Sequence, residues 1–211
     1  MDFKKNKIVI TVARMYGSGG RTIAEMLSQK LNIPFYDKDL IKIASEESGI
    51  NEALFANADE RAKTSFLSKI IHDVYNDDDI VSPNNKNYTS EKNLFNIQAK
   101  VIKKLADTES CIIVGRCAEY VLKDYDNVLS VFIHAPHDYC MESAAKKKNL
   151  TYKELEEFIN KTNKQKEDYH IKYTGLNWSD AKNYDLCLDS SKLGYDRCCE
   201  EIISYMNVRF K

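Results

Sequence analysis

The chain has 211 residues, with 31 Lys and Arg against 32 Asp and Glu, for a formal net charge of −1. That balance excludes a protein held to nucleic-acid polymers mainly by counterion release, which needs a strong basic excess, but it leaves room for a locally basic site that takes small phosphorylated ligands. With 43% hydrophobic and 30% charged residues the composition is globular, and a chain of this length buries roughly 70% of its unfolded surface in one core without disulfide or metal staples.

In chain order, the charged start Met1-Asp2-Phe3-Lys4-Lys5-Asn6-Lys7 is followed by a short β-branched run, Ile8 to Ala13, which reads as a buried strand. It is too short for a secretory leader, and nothing in the sequence approaches the ~18 apolar residues of a membrane span. A glycine cluster, Gly17-Ser18-Gly19-Gly20, comes next. Ile23, Leu27 and Leu31 then recur at helical spacing, so residues 21–31 are predicted helical, with a stop at Asn32 and a short second strand at Pro34-Phe35-Tyr36. Lys38 to Ser48 reads as a helix closed by Gly49. Residues 51–110 form a mostly helical excursion, with one stripe at Phe66, Ile70 and Val74 and another at Leu94, Ile97, Val101 and Leu105. The polar run 76–87, containing Pro83, reads as a mobile surface loop between them.

Cys111 to Val114 and Val128 to His134 are the third and fourth strands, and Asp138 to Lys148 is a helix. Thr151-Tyr152-Lys153-Glu154 is a capping box: the Thr hydroxyl accepts from the third helical N–H while Glu154 reaches back. The helix it opens has Leu155, Phe158 and Ile159 on its apolar side and Lys161, Lys164 and Lys166 toward its end. Leu186-Cys187-Leu188 is a fifth strand, and Tyr195 to Asn207 a last helix. Uniformly apolar strands alternating with helices predict an α/β domain, one parallel sheet covered on both faces. The six cysteines have neither C-x-x-C nor zinc spacing, so a reduced, cytoplasmic protein is expected. In the vicinal pair Cys198-Cys199, one side chain is expected inward and one outward. No heptad pattern sets an oligomeric state.

The chemistry is concentrated at the first glycine cluster, which holds three of the seven glycines. Residues without a Cβ let the backbone turn successive N–H groups onto one point, and the following helix start adds its dipole and unpaired N–H groups. A strand, this loop and then a helix make a phosphate cradle. A cation and a Ser/Thr hydroxyl at the helix start, here Arg21 and Thr22, are what a Mg-nucleotide triphosphate needs. The match to the P-loop pattern is incomplete, because neither register of the loop supplies a Lys. Arg21 is the nearest cation, and its planar fork is not equivalent to an ammonium.

With these segments in view, the chain resembles the cytidylate kinase-like family of P-loop nucleoside monophosphate kinases. Ala13 to Arg21, Ile33 to Ile41 and Ile113 to Tyr120 carry the resemblance, with Val131 to Pro136, Tyr173 to Trp178 and Asn183 to Ser191. It implies a P-loop kinase fold over the whole chain: a five-stranded parallel core, an NMP-binding helical excursion at about 51–110 and a short basic lid at about 150–180. It implies transfer of the ATP γ-phosphoryl group to a nucleoside monophosphate, CMP or dCMP, with Mg²⁺. Gly17, Ser18, Gly19, Gly20, Arg21 and Thr22 would hold the ATP phosphates, with the Thr22 hydroxyl on Mg²⁺. Arg116 would clamp the acceptor phosphate, Asp37 would lie near acceptor and metal, and Arg14 would reach substrate phosphate. Arg21, Arg116, Asp37, Lys164 and Lys166 would form the catalytic set, with the lid lysines neutralising the moving charge. The implied partner is a nucleotide or small phosphorylated substrate, not a nucleic-acid polymer or a membrane.

Three departures from the family pattern bear on this. Cys117 stands where a Gly-Arg-Asp motif has Asp, Val114 where an acid is usual, and the lid is Lys-rich where such kinases have arginines. Two further readings follow: a nucleotide-binding regulatory protein without catalysis, and a kinase for a small non-nucleotide acceptor. Each residue also has a plainer role. Arg116 could pair with a surface acid, Asp37 could be a helix N-cap, Arg14 could bind a structural carboxylate, and the lid lysines could be a solvated face. Lys146-Lys147-Lys148 is expected only to close its helix, Trp178 to anchor a loop, and His134 and His137 to pack rather than ligate.

Overall fold

The structure is a computed structural model that describes residues 7–61 and 80–211. The first six residues, the predicted stripe of Phe66, Ile70 and Val74 and the acidic run Asp77-Asp78-Asp79 lie outside the described residues. The chain begins with β1 (Val9–Arg14), α1 (Gly20–Leu31), β2 (Phe35–Tyr36), α2 (Asp39–Ser48) and α3 (Glu52–Arg61). It continues with α4 (Glu91–Thr108), β3 (Cys111–Val114), α5 (Ala118–Val121), β4 (Val128–His134) and α6 (His137–Ala145). After α7 (Tyr152–Thr174) come β5 (Leu186–Asp189) and α8 (Ser190–Arg209).

The five strands form one parallel sheet in the order β2-β3-β1-β4-β5. Their alternation sorts side chains to two faces. Ile8, Ile10 and Val12 of the β1 segment, Ile112 and Val114 of β3, and Leu129, Val131 and Ile133 of β4 pack with Ile23 and Leu27 of α1 and with α8. Val9, Cys111, Ile113 and Val128 point the other way, into a cluster with Leu40, Phe55, Leu94, Val101 and Leu122. Both faces of the sheet are therefore covered by helices, as a parallel sheet requires.

Local signals behave as their chemistry dictates. Asn32 closes α1 at φ 51° and Gly49 closes α2 at φ 71°. Thr151 and Glu154 make the full capping box on α7. That helix does not stop after its lysines: it runs 23 residues to Thr174, because Tyr169 and His170 extend the buried stripe begun by Leu155 and Ile159. The reading of one inward and one outward cysteine is corrected, since Cys198 and Cys199 are both fully buried. Successive helix positions lie about 100° apart, and α8 is enclosed widely enough to bury both. Helix α8 is kinked at Gly194 (φ 73°), so its regular part resumes at Tyr195.

In a parallel sheet every strand ends at the same edge. Arg14 (end of β1), Asp37 (after β2), Gly115 and Arg116 (after β3) and Asp189 (end of β5) are thus brought to one rim. β1 lies at the centre beside β4; the connection from β1 leaves toward β2 on one side and that from β4 toward β5 on the other, which opens the crevice in which such sheets bind ligands.

Candidate active site

The glycine loop is held from below. Met15 N–H donates to the Ile133 carbonyl at 3.1 Å, and the buried Ser18 hydroxyl lies 2.9 Å from the Met15 carbonyl and 3.1 Å from that of Ile133. The Ser190 hydroxyl donates to the Ser18 carbonyl at 2.6 Å. The expectation for Ser18 therefore does not extend to its hydroxyl, which braces the loop from inside. Gly17 and Gly19 adopt φ 84° and 78°. A Cβ on Gly17 would meet the backbone of Cys140 at 2.5 Å, and one on Gly20 would meet Cβ of Arg14 at 2.5 Å. The first i→i−4 bond of α1 runs from Ile23 N–H to the Gly19 carbonyl at 2.9 Å. The N–H groups of Gly20, Arg21 and Thr22 therefore precede the helical ladder, as anion binding needs.

Asp37 is buried and gathers two arginines. Arg21 Nε donates to Oδ2 at 2.8 Å, and Arg14 Nη2 lies 3.6 Å from Oδ1. The N-cap reading of Asp37 does not hold, because Lys38 occupies that position without a side-chain cap bond. Arg21 also pairs with Glu25 at 3.2 Å, and its side chain stays 58% exposed. Burial lowers the pKa of Arg14, with Asp37 opposing that shift. Its Nη1 would stand 2.6 Å from a Cβ on Gly115, so a side chain there would displace the guanidinium.

Three consecutive left-handed residues, Gly115 (φ 75°), Arg116 (φ 63°) and Cys117 (φ 54°), turn the chain from β3 into α5. Non-glycine residues in this region cost about 1–2 kcal/mol each. Arg116 Nη1 donates to Oε1 of Gln98 on α4 at 3.1 Å. Above this turn lies a cavity of about 230 Å³, lined by Arg14, Arg116, Glu119, Lys166, His170 and Trp178 among others.

Helix α7 forms the roof. Asn163 Oδ1 accepts from Tyr16 N–H of the glycine loop at 2.7 Å, and Lys166 Nζ donates to the Arg14 carbonyl at 3.2 Å. Lys166 also lies 5.7 Å from the Tyr16 ring and 5.9 Å from that of Trp178. Burial, reinforced by the Arg14 charge, holds its ammonium well below the usual lysine range. Lys164 is placed differently from expectation. It is exposed, pairs with Glu167 at 3.1 Å and Asp168 at 3.0 Å on its own helix, and does not line the cavity. A helix turns 100° per residue, so residues two apart face opposite sides.

Thr22 is half-buried and lines a separate hollow of about 350 Å³ with Tyr139, Glu142, Lys146, Lys147 and Tyr195. Trp178 is buried in a cluster with Phe132 and Tyr184, as an anchor requires, and also lines the cavity. Among the described residues no group of three or more His, Cys, Asp or Glu is arranged to hold a metal ion. No helix among them is long and apolar enough to cross a membrane.

Sequence reasoning missed Gln98, Glu119, Asn163 and His170. Glu119 and His170 did leave a signal, each being a titratable residue inside an otherwise buried helical stripe. Asn163 and Gln98 left none, because their roles depend on which helices become neighbours.

The profile of the cytidylate kinase-like family matches residues 9–192. No curated protein matches the sequence. Among solved structures, an uncharacterized protein from Eubacterium ventriosum ATCC 27560 is similar at TM-score 0.70 and 26% identity, over 95% of this chain and 99% of that one. A sugar kinase from Janibacter sp. HTCC2649 superposes at TM-score 0.54 and 13% identity, covering 95% of each chain. Shikimate kinase from Bacteroides thetaiotaomicron does so at TM-score 0.51 and 15% identity, over 94% of this chain and 95% of that one.

Proposed function

The chain belongs to the cytidylate kinase-like family and has the P-loop kinase fold, and from that premise we propose that it transfers the γ-phosphoryl group of ATP to a nucleoside monophosphate, CMP or dCMP. The observation that carries this reading is the convergence of Arg14, Arg116 and Lys166 on one cavity beside the glycine loop. Phosphoryl transfer asks little covalent chemistry of a protein. It needs in-line positioning and cations for charge spread over the equatorial oxygens.

In this reading the backbone N–H groups of Gly17, Gly19, Gly20, Arg21 and Thr22 hold the donor phosphates, with Ser18 bracing them. Arg116, steadied by Gln98 at 3.1 Å, takes the acceptor phosphate. Arg14 and Lys166 lie between the two ends. Asp37 aligns Arg14 and Arg21, which makes it a positioning residue. Lys164 is left to the helix surface.

The loop's donors and left-handed glycines fit a polyphosphate. For Mg²⁺ the fit is narrower: the Thr22 hydroxyl is available, whereas both Asp37 oxygens already face guanidinium groups. Thr22 would hold a Mg²⁺ whose other ligands are phosphate oxygens and water, the usual preference of that ion. Bound there, the ion would neutralise charge on the donor phosphates.

One observation favours a second reading, nucleotide binding without turnover: the loop's own cation, Arg21, is tied to Asp37 and Glu25. One experiment separates the two. Purified protein is incubated with MgATP and a panel containing CMP, dCMP, UMP, AMP, shikimate and a hexose, and ADP is followed. ADP release that depends on CMP or dCMP is expected, and Arg116→Ala should raise the acceptor KM about tenfold or more while ATP still binds. ATP binding without acceptor-dependent ADP across the panel establishes the second reading. ADP with a non-nucleotide acceptor alone moves the substrate to that class.

A further inference from the structure

Helix α7 directs a stripe of polar side chains at the sheet rim, and the phosphoryl-transfer reading gives work to only one of them. Its apolar residues Leu155 and Ile159 pack with Met141 and Ala144 of α6. Beyond them, three residues each bond a different element. Asn163 Oδ1 accepts from Tyr16 N–H of the glycine loop at 2.7 Å. Lys166 Nζ donates to the carbonyl of Arg14, the last residue of β1, at 3.2 Å. His170 Nε2 meets Oε1 of Glu119, on α5, at 2.9 Å, with side chains only 4% and 5% exposed. At 100° per residue these three positions lie within about 60° of one another, and the path from first to last rises about 10 Å along the helix axis.

The hydrogen bonds around the imidazole define the state of the last of these contacts. The Thr174 hydroxyl donates to the His170 carbonyl at 2.7 Å and accepts from Leu176 N–H at 3.0 Å. Its one proton is thereby used, so Nδ1 of His170 carries a hydrogen and donates to the Leu176 carbonyl at 3.0 Å. Nε2 and Oε1 then share one proton, and the Glu119–His170 pair is neutral as a whole. It leaves undiminished the positive charge of Arg14, Arg116 and Lys166, which line the same cavity. What the pair supplies is geometry. Glu119 follows closely on the left-handed turn that carries Arg116, and its bond to His170 ties that turn to α7.

Apolar packing has no preferred direction and leaves the register of a helix loosely set, whereas hydrogen bonds weaken steeply with distance and angle. We propose that Asn163 and the Glu119–His170 pair are positioning residues: they hold the glycine loop and the Arg116 turn at a fixed separation along α7, with Lys166 between them. Asn163 fixes one end, aided by the Tyr16 ring set edge-on to Phe158 of α7 at 5.1 Å. His170, through Glu119, fixes the other. Lys166 lies within about one helical turn of both ties, so its Nζ is placed by them as a pair. In the proposed reaction these ends hold donor and acceptor. Transfer between two bound phosphates depends on their spacing, and a misplacement of about 1 Å costs up to about 100-fold in rate.

The kinetic consequence rests on the proposed function, but the two ties do not, so the test has an arm without substrate. Wild type, Asn163→Leu, Glu119→Leu and Glu119→Gln are compared by amide hydrogen exchange of the free protein and by ADP release with MgATP and CMP, with thermal midpoints to show that each is folded. Glu119→Leu should speed exchange over residues 115–119, and Asn163→Leu over residues 15–17, by about tenfold or more. Each should lower kcat by about tenfold or more while the KM values for ATP and CMP stay within about threefold, the signature of lost alignment rather than lost binding. Glu119→Gln supplies the shared proton from its amide and should stay within about threefold of wild type in every readout. A Glu119→Gln protein as impaired as Glu119→Leu overturns the proposal, because the charge and not the bond would then matter. Unchanged exchange in the folded Leu variants overturns it too, as does a rise in KM with kcat preserved. If wild type releases no acceptor-dependent ADP, the proposed kinase reaction fails, and the exchange comparison alone decides whether α7 holds the loop and the turn.

Discussion

Lys166 enters the site from the middle of α7, where its Nζ donates to the Arg14 carbonyl and lies near the Tyr16 and Trp178 rings. Burial and Arg14 destabilise its charged form, while Asp37 and Cys140 favour it, and the net effect is a pKa well below 10.5. Between that lowered pKa and 10.5 the folded state binds fewer protons than the unfolded state, so folding stability rises with pH through this window. Over the same window the ammonium is lost, so phosphate affinity falls. Lys166→Arg should remove the alkaline loss of ATP affinity because a guanidinium keeps its charge. Lys166→Met should lower turnover by about 100-fold and raise the thermal midpoint at neutral pH. Assays of ATP binding against pH, paired with melting curves, check both. A Lys166→Met protein that is active and less stable contradicts the assignment.

At the scale of elements, two glycines with similar backbone angles make unequal demands. Gly49 closes α2 at φ 71° with nothing within 4 Å of a would-be Cβ, whereas Gly17 at φ 84° would drive its Cβ into the Cys140 backbone. Gly49→Ala should cost only the left-handed penalty of about 1–2 kcal/mol, a fall in Tm of about 2–8 °C. Gly17→Ala should cost more and should also weaken ATP binding by reshaping the loop. Thermal unfolding of the two variants side by side, with ATP titrations, makes the comparison; equal losses would mean that α6 does not constrain the loop. The elements themselves were largely legible. Apolar runs, β-branched in β1, β3 and β4 and not in β2 or β5, marked the five strands, Asn32 and Gly49 marked helix ends, and Thr151 with Glu154 marked the start of α7. The end of α7 was not legible, because its polar sequence becomes a helix core only when Tyr169 packs among Phe95 and Tyr173. The loop and Arg116 could be read from local pattern. The separation of Lys166 from Lys164, the Asp37 clamp and the Glu119–His170 pair could not, since each depends on contacts between residues far apart in sequence.

For the whole molecule, the two-faced burial of the sheet determines the state of its thiols. Five of the six cysteines are buried and none is in a disulfide. Burial pushes Cys111 up to about 12 and Cys140, Cys198 and Cys199 up to about 11. A thiol reagent near neutral pH should therefore label at most the half-buried Cys187 rapidly in the native protein, and all six after denaturation. Fast labelling of Cys198 or Cys199 would show that α8 opens readily from the sheet. Helix α7 extends across this same architecture. Near its middle it touches the glycine loop through Asn163 and Lys166, and near its end it is joined to α4 by the Lys172–Glu91 ion pair and by Tyr173 stacked 4.2 Å from Phe95. Helix α4 also carries Gln98, the partner of Arg116. One continuous helix thus joins the glycine loop to α4, and under the proposed function reciprocity governs what it transmits: by whatever factor a ligand on the loop alters affinity for the acceptor, the acceptor alters affinity for that ligand equally.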